Sequence, residues 1–395
     1  MPWPAHVAVA FAKSNPEVQN AIKAIAQMNN WGSVQHVMPA PEEKKPLLRS
    51  LARAKECRHL GPAIKKKEGC GTCTTYQCAK LGETKLAFCA GECQKWELQQ
   101  IANFPKIAIR SPIRFDHRNL APHTGGVRLN PSIIQSGSGY IFSYRNKWGN
   151  ADISLIRLNS AFEPVGEPKQ LNLHYPGATS KGREDMRLFR HKGQLHGWYI
   201  GWNGRRGRGQ YKANVLFARI NEDTFTVEDK FFPMIPGRND WEKNHAYFDV
   251  GTETYCVYSV RPHRVHKVYC EAVQQTWETR TNVNWRYGYL RGGTSPILHN
   301  GRFYAFFHGM DDSGPHRLYT LGVYCFNPEP PFRITHITHE PLDIAGPRKG
   351  AARVIFPGGA VFTAGQWAIA CGMQDEWSEI RFYNEQEVES ALSPI

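Results

Sequence analysis

No stretch of the chain approaches the roughly 20 consecutive apolar residues that a membrane-crossing helix needs, and the mean hydropathy is −0.50, so no membrane partner is expected. The opening residues, MPWPAHVAVAFAKS, lack a basic region and carry too short an apolar stretch for a secretory signal. A cytoplasmic location is the expectation. Low-complexity tracts are also missing, although 35 Gly and 26 Pro make the chain rich in turns. With 41% hydrophobic and 12% aromatic residues the sequence has ample material for a large core, which excludes disorder for the bulk of it. Acidic residues are under-represented: 35 Asp and Glu face 49 Lys and Arg, a net charge of +14 that favours anionic partners such as nucleic acid, phosphate or a phosphorylated substrate. Basic clusters occur at Lys65–Lys67 and Arg205–Arg208, and the Trp and Tyr residues are not interleaved with them. That separation weakens the nucleic-acid reading.

Three regions of different texture follow one another. In residues 15–30, Val18, Ile22, Ile25 and Met28 recur at helical spacing behind Asn15 and Pro16, which predicts a short helix, and the Pro-rich, charged residues 39–50 read as a linker. These make up an N-terminal region, 1–50. Residues 51–100 hold six of the ten cysteines and are expected to form a small unit of their own. From about 105 to 390 the chain breaks into short runs such as YIFSYR, DISLIRL, LHGWYIGW, NVLFARI, YCVYSV and FYAFFHG, separated by Gly, Asn and Asp. Such runs predict an all-β architecture of short antiparallel strands. Anchors at Asn130, Asp185, Lys243, Gly293 and Phe356 recur every 50 to 63 residues. That interval suits a four-stranded propeller blade with long connections, although a large sandwich could produce it as well.

The run Gly182-Arg183-Glu184-Asp185-Met186-Arg187 precedes a strand, and a Glu-Asp pair flanked by arginines can set a carboxylate at the mouth of a sheet, with neighbouring charges tuning its ionisation. An ordinary surface ion-pair cluster has the same composition. Further motifs stand in order along the chain: Asn130-Pro131-Ser132 with Tyr144-Arg145, Glu242-Lys243-Asn244 with Pro262-His263, Arg291-Gly292-Gly293-Thr294-Ser295-Pro296, Phe307-His308-Gly309, Phe356-Pro357-Gly358-Gly359 and Cys371-Gly372-Met373-Gln374-Asp375. Together they make residues 125–385 resemble glycoside hydrolase family 130, the β-mannoside phosphorylases and related mannosidases, with Met186 where that family usually has Pro.

The resemblance implies a five-bladed β-propeller acting by inversion on an oligosaccharide or glycoside. Asp185 would be the general acid toward the glycosidic oxygen, and inorganic phosphate, as co-substrate, would attack the anomeric carbon. Because phosphate is already an anionic nucleophile, a second carboxylate becomes dispensable and a cluster of cations necessary. By the same resemblance Arg205 or Arg206, Arg219, Lys243 and His263 would hold phosphate, and Asn130, Arg145, Glu184 and Asp375 would bind sugar, with His308 a lining residue. The run Gly204–Gly209 also reads as a solvated basic loop, Asp375 as a turn residue, and His308 as a hydrogen-bonded core histidine. A hydrolase of the same fold would need a carboxylate to activate water, for which Glu242 is the nearest choice. A non-catalytic glycan-binding propeller is a further alternative, motivated by Met186.

The cysteine-rich unit lies outside the family pattern. Cys57, Cys70, Cys73, Cys78, Cys89 and Cys93 include Cys-x2-Cys and Cys-x3-Cys pairs, the form in which two thiolates of one tetrahedral zinc site are supplied locally. Structural zinc is the preferred reading, with an iron–sulfur cluster or disulfides as alternatives because six thiols exceed one zinc site. Cys256, Cys270, Cys325 and Cys371 read as buried small hydrophobes. Nothing in the sequence fixes the oligomeric state.

Overall fold

The structure is a computed structural model. It describes most of residues 111–395, the longest exceptions being 204–211 and 233–242, and before residue 111 only the backbone of three strands. The chain divides into two compact units, residues 1–104 with 312–316, and residues 105–311 with 317–395. In the first unit β1 (Leu60–Glu68), β2 (Gly71–Cys78) and β3 (Gly82–Thr84) form an antiparallel sheet in the order β1-β2-β3. Cys73 lies opposite Lys66 and Cys78 opposite Leu60. The expected helix at 15–30 and linker at 39–50, together with Cys57, Cys70, Cys89 and Cys93, lie outside the described residues.

The second unit is all-β and propeller-like. After β4 (Ile113–Phe115) come a first sheet, β5 (Arg128–Ser136), β6 (Gly139–Asn146), β7 (Ile153–Leu158) and β8 (Pro164–Gln170), and a second, β9 (Gly182–His191), β10 (Gln194–Asn203), β11 (Lys212–Ile220) and β12 (Val227–Phe231). A third has β13 (Ala246–Val250), β14 (Glu253–Ser259), β15 (His263–Tyr269) and β16 (Ala272–Thr279). The fourth is larger. It combines β17 (Tyr289–Arg291), β18 (Ile297–His299), β19 (Arg302–Asp311), β20 (Leu318–Phe326), β21 (Ile334–Thr338) and β22 (Asp343–Ile344) with a strand from the C-terminal end, as described below. The fifth holds β23 (Ile355–Thr363), β24 (Gln366–Met373) and β25 (Trp377–Asn384), and takes β4 as its fourth strand. The chain ends in a short helix α1 (Glu385–Ala391), capped by the Asn384 side chain, and in β26 (Leu392–Pro394), which adds itself to β21.

Five like blades of four strands were expected, and this is corrected: four sheets have the four-stranded form, while the fourth in sequence has seven strands. Among the described residues no helix is long and apolar enough to cross a membrane.

In the first three sheets the last strand is the least buried. In the first sheet β5, β6 and β7 are mostly buried, whereas β8, PVGEPKQ, is almost wholly exposed. The explanation is that faces of neighbouring sheets pack on each other and leave only the last strand to water. Ile141, Ile153 and Leu155 of the first sheet meet Met186, Leu188 and Leu216 of the second. Trp198 and Phe217 of the second meet Tyr247 and Cys256 of the third. Phe248 of the third stacks edge-on to Phe303 of the fourth, Phe306 and Leu321 of the fourth pack with Trp367 and Ile369 of the fifth, and Ala368 and Phe382 of the fifth pack with Ile133 and Phe142 of the first. The succession closes on itself. Cys256, Cys325 and Cys371 are buried within these layers, as their settings in apolar runs predict.

Candidate active site

The leading strand of each sheet enters through an unusual backbone. Asn130, Asp185 and Asn244, at the entries of β5, β9 and β13, all have left-handed φ values, +49°, +58° and +63°. Asn and Asp tolerate that region better than other L-residues because their short polar side chains bond locally. The pairing slips at the same places: β5 shifts register between Leu129 and Ser132, and β10 shifts against β9 between Trp198 and Ile200. In the fourth and fifth sheets the entry positions are glycines that let backbones touch. A Cβ on Gly292 would lie 2.0 Å from the Asn244 carbonyl oxygen, and one on Gly358 the same distance from that of Pro131. A Cβ on Gly372 of β24 would fall 2.6 Å from Asn130 Oδ1. All five anchors recognised by their recurrence therefore belong to one end of the sheets, where they converge.

At that convergence Asn130 Nδ2 donates to Asp185 Oδ1 at 2.6 Å. Glu184, next to Asp185, accepts from Arg145 Nη1 of the first sheet at 2.7 Å and from Lys243 Nζ at the entry of the third. The Lys243 ammonium also lies 4.5 Å from the centre of the Trp202 ring. Asp185 and Glu184 are 6% and 8% exposed, while Arg145 and Lys243 are partly open to solvent. Neighbouring residues of a regular strand point to opposite faces. The left-handed turn at Asp185 suspends that alternation and lets both carboxyl groups engage partners at the same end.

Arg187, two residues on, is fully buried. Its guanidinium lies 4.7 Å from the Trp198 ring centre and 4.9 Å from that of Phe356. Nε donates to the Gly293 carbonyl oxygen, Nη1 to that of Asp185 at 3.3 Å, and Nη2 to Asn244 Oδ1 at 3.4 Å. Burial pulls its pKa down to about 10, against the opposing pull of the Asp185 charge. His308 sits behind Phe356, with ring centres 4.9 Å apart. Burial first, then the charges of Arg187 and Arg291, hold its pKa well below the ordinary value. Met186 points the other way, into the core between the first and second sheets against Gly197, so an apolar side chain in place of Pro anchors the turn beside Asp185.

The structure thus brings together Asn130, Arg145, Glu184, Asp185 and Lys243. Two expected phosphate ligands have other neighbours. His263 begins the third strand of its sheet and is buried against Tyr324 and Phe326, where desolvation lowers its pKa to about 4. Arg219 lies on the third strand of the second sheet and pairs with Glu228 at 3.2 Å in a partly exposed bridge. Arg219 lies opposite His196, which in turn lies opposite Phe189, toward the far end of β9. His308 is a buried neighbour of Arg187. Asp375 lies exposed in the hairpin between β24 and β25, three residues past Gly372. Arg205, Arg206 and Glu242 lie outside the described residues. Among the described residues no group of His, Cys, Asp or Glu is disposed to hold a metal. Reading from sequence missed the parts played by Arg187, Asn244 and Trp202. A basic residue inside the apolar run Met186–Phe189, and the repetition of Asn or Asp at three of the five entries, were the available signals.

No protein-family profile matches the chain, and no curated protein matches it at the level of sequence. Solved structures do match. A β-1,2-mannobiose phosphorylase from Listeria innocua is 10% identical, with a TM-score of 0.53 over 71% of this chain and 99% of its own. A mannose phosphorylase from Leishmania mexicana, solved with a phosphate ion, is 13% identical, with a TM-score of 0.51 over 77% and 96%. A glycosyl hydrolase from Bacteroides ovatus gives 14% and 0.50 over 72% and 92%. The chain shares their fold.

Proposed function

We propose that this protein is a glycoside-processing enzyme that cleaves or makes β-mannoside-type bonds by inversion, with Asp185 as the general acid. The observation that carries the reading is the cluster at the inner end of the sheets: a mostly buried carboxyl group oriented by Asn130, beside a second carboxylate held between two partly exposed cations. The mannoside phosphorylases among the chain's structural relatives add support of a general kind.

In the phosphorolytic form, Asp185 gives its proton to the glycosidic oxygen, directly or through a sugar hydroxyl, as the C–O bond at the anomeric carbon breaks. A phosphate oxygen forms the new bond from the opposite face, and the products are a sugar 1-phosphate and a free acceptor hydroxyl. Lys243 and Arg145 supply the positive charge for that anion, and the planar fork of Arg suits a tetrahedral oxyanion. Hydrolysis is the second reading. It is favoured by the neighbours of His263 and Arg219, which meet Tyr324 and Phe326 and pair with Glu228 respectively, leaving fewer cations for phosphate than the resemblance implied. For the cysteine-rich unit we propose structural zinc, which metal analysis of the purified protein tests directly.

The deciding experiment is incubation with a panel of β-mannosides, β-1,2-mannobiose among them, with and without phosphate, followed by product identification. Sugar 1-phosphate formed only with phosphate supports phosphorolysis, and free mannose without phosphate supports hydrolysis. Asp185→Asn should lower turnover by roughly 100- to 10,000-fold, the usual contribution of a general acid. Absence of turnover on every mannoside, or undiminished turnover by Asp185→Asn, refutes the proposal.

A further inference from the structure

Arg187 is hard to explain as a stabilising residue. It is fully buried, and among the described residues no carboxylate lies within ion-pair distance of it. Burying a charge that makes no direct ion pair is expensive, even with the Asp185 charge nearby, and replacing buried ionic groups with apolar side chains of similar volume is often neutral or stabilising. The slot is aromatic on two sides, Trp198 and Phe356, a setting that suits an apolar side chain. A cation there offers two things that an apolar side chain does not, a fork of donors and a positive field. The donors go to the carbonyl of Asp185, to Asn244 at the entry of the third sheet and to Gly293 at the entry of the fourth. Phe356, which covers one face of the guanidinium, belongs to the fifth sheet. Arg187 itself belongs to the second, and the first is joined through the bond from Asn130 to Asp185. All five sheets thus meet through this residue and its immediate neighbours.

We infer that Arg187 is the positioning residue for Asp185: it touches no substrate, holds the left-handed backbone on which the carboxyl group stands, and registers that backbone against the entries of the third, fourth and fifth sheets. The proposal deepens the enzymatic reading above and rests on it for its kinetic consequence alone. The bond from Nη1 to the Asp185 carbonyl fixes the peptide plane that follows the left-handed residue. With the other end of the side chain clamped by Gly293 and Asn244, the plane cannot rotate without breaking that bond or pulling the arginine away from the other two acceptors. Regular pairing cannot do this work, because the β9–β10 ladder is interrupted at this point.

Two variants test it by independent readouts. Arg187→Lys keeps the charge and loses the fork, and Arg187→Met keeps the apolar packing and loses both. Crystal structures of the parent and of Arg187→Met are compared at residue 185. The expected result is that Asp185 leaves the left-handed region and its bond with Asn130 is lost. An unchanged Asp185 overturns the proposal whether or not the protein turns over a glycoside. On whichever mannoside the parent uses, Arg187→Lys should lower kcat by roughly 100-fold, since a misplacement of about 1 Å costs that much, while KM moves less than about threefold. Retained kcat in Arg187→Lys also overturns the assignment, and so does a loss that matches a fall in folded fraction measured by circular dichroism. If no mannoside is turned over by the parent, the enzymatic reading fails while the structural comparison still decides the role of Arg187.

Discussion

The two ends of β9 treat the same chemistry differently. At its entry Glu184 is held between Arg145 and Lys243, next to a left-handed aspartate and a fully buried arginine, in a stretch where the ladder slips. At its exit Arg190 donates to both oxygens of Glu222, which also accepts from Ser136, and the ladder with β10 runs in regular register to the hairpin at Lys192-Gly193. Both are carboxylate–guanidinium clusters that join the first sheet to the second. The exit has one left-handed residue, Lys192, in its hairpin and a partly desolvated carboxylate, whereas the entry adds interrupted pairing and near-complete burial of Glu184, Asp185 and Arg187, costs that persist where the surrounding structure over-determines them and that tend to gather at functional sites. The exit cluster staples one sheet to another. Interrupted pairing and depth of burial, rather than the number of charges, distinguish a site from a staple.

The sharpest way to break this contrast uses two glycines at opposite ends of β23. At the entry, a Cβ on Gly358 would stand 2.0 Å from the Pro131 carbonyl oxygen, a backbone atom with nowhere to move. At the exit, Gly365 lies in a turn with a left-handed φ of +71° and open space around it. Gly358→Ala should cost about 3 kcal/mol, the upper part of the range for overpacking, and should distort the neighbouring Asn130. Gly365→Ala should cost about 1 kcal/mol, the penalty for placing an L-residue in that backbone region. Urea unfolding of the two variants measures both. Equal losses would remove the case for a specially crowded entry.

A smaller effect separates the ion pairs. Lys243→Ala leaves Glu184 with Arg145 alone and removes a cation from the face proposed to receive phosphate. Turnover efficiency should drop roughly 10- to 100-fold, the worth of a charged hydrogen bond, with little change in unfolding midpoint. Arg190→Ala should leave turnover alone and lower stability by no more than about 1 kcal/mol, a loss that shrinks in high salt, as for other partly exposed pairs. Kinetics and unfolding of both variants at two ionic strengths test the division, and a stability loss in Lys243→Ala larger than in Arg190→Ala would reverse it.

The parts of the molecule that could be read from sequence are those whose cause is local. Runs such as YIFSYR and FYAFFHG became β6 and β19 because apolar and aromatic residues bounded by turn formers favour strands whatever their partners. The anchors at Asn130, Asp185 and Gly293 were legible because a left-handed or crowded entry restricts the choice to Asn, Asp or Gly. What depends on remote pairing left no such mark. Nothing near residue 392 announces that it will pair with Thr338, nor does residue 113 show that it will complete the sheet of β25, so the seven-stranded sheet could not be anticipated. The neighbours of His263 and Arg219 were hidden for a related reason: which side chains a residue meets depends on strand register and on the sheet packed against it, which motif order along the chain does not encode.

The smallest effect concerns Glu222, and it tests whether the exit cluster is only a staple. The hydrogen bond from Arg190 is the largest influence on its carboxyl group; with help from Ser136 and the charges of Arg190 and Arg157 it overcomes partial desolvation and lowers the pKa from the ordinary 4.5 to about 2. Because the folded-state value is depressed, the native protein holds this proton less tightly than the unfolded chain does. The resulting stabilisation is fully present above about pH 4.5 and is lost as the pH falls toward 2. Since the pair is about one-third exposed, solvent screening keeps the effect to no more than about 1 kcal/mol. Glu222→Gln should therefore flatten the stability curve between those two pH values and leave it parallel to the parent's above them. The check is urea unfolding of both proteins at half-unit steps of pH. A variant curve as steep as the parent's throughout that window would mean that the exit pair contributes nothing to the acid sensitivity of the fold. A change in turnover at neutral pH would mean that the two ends of β9 are not independent.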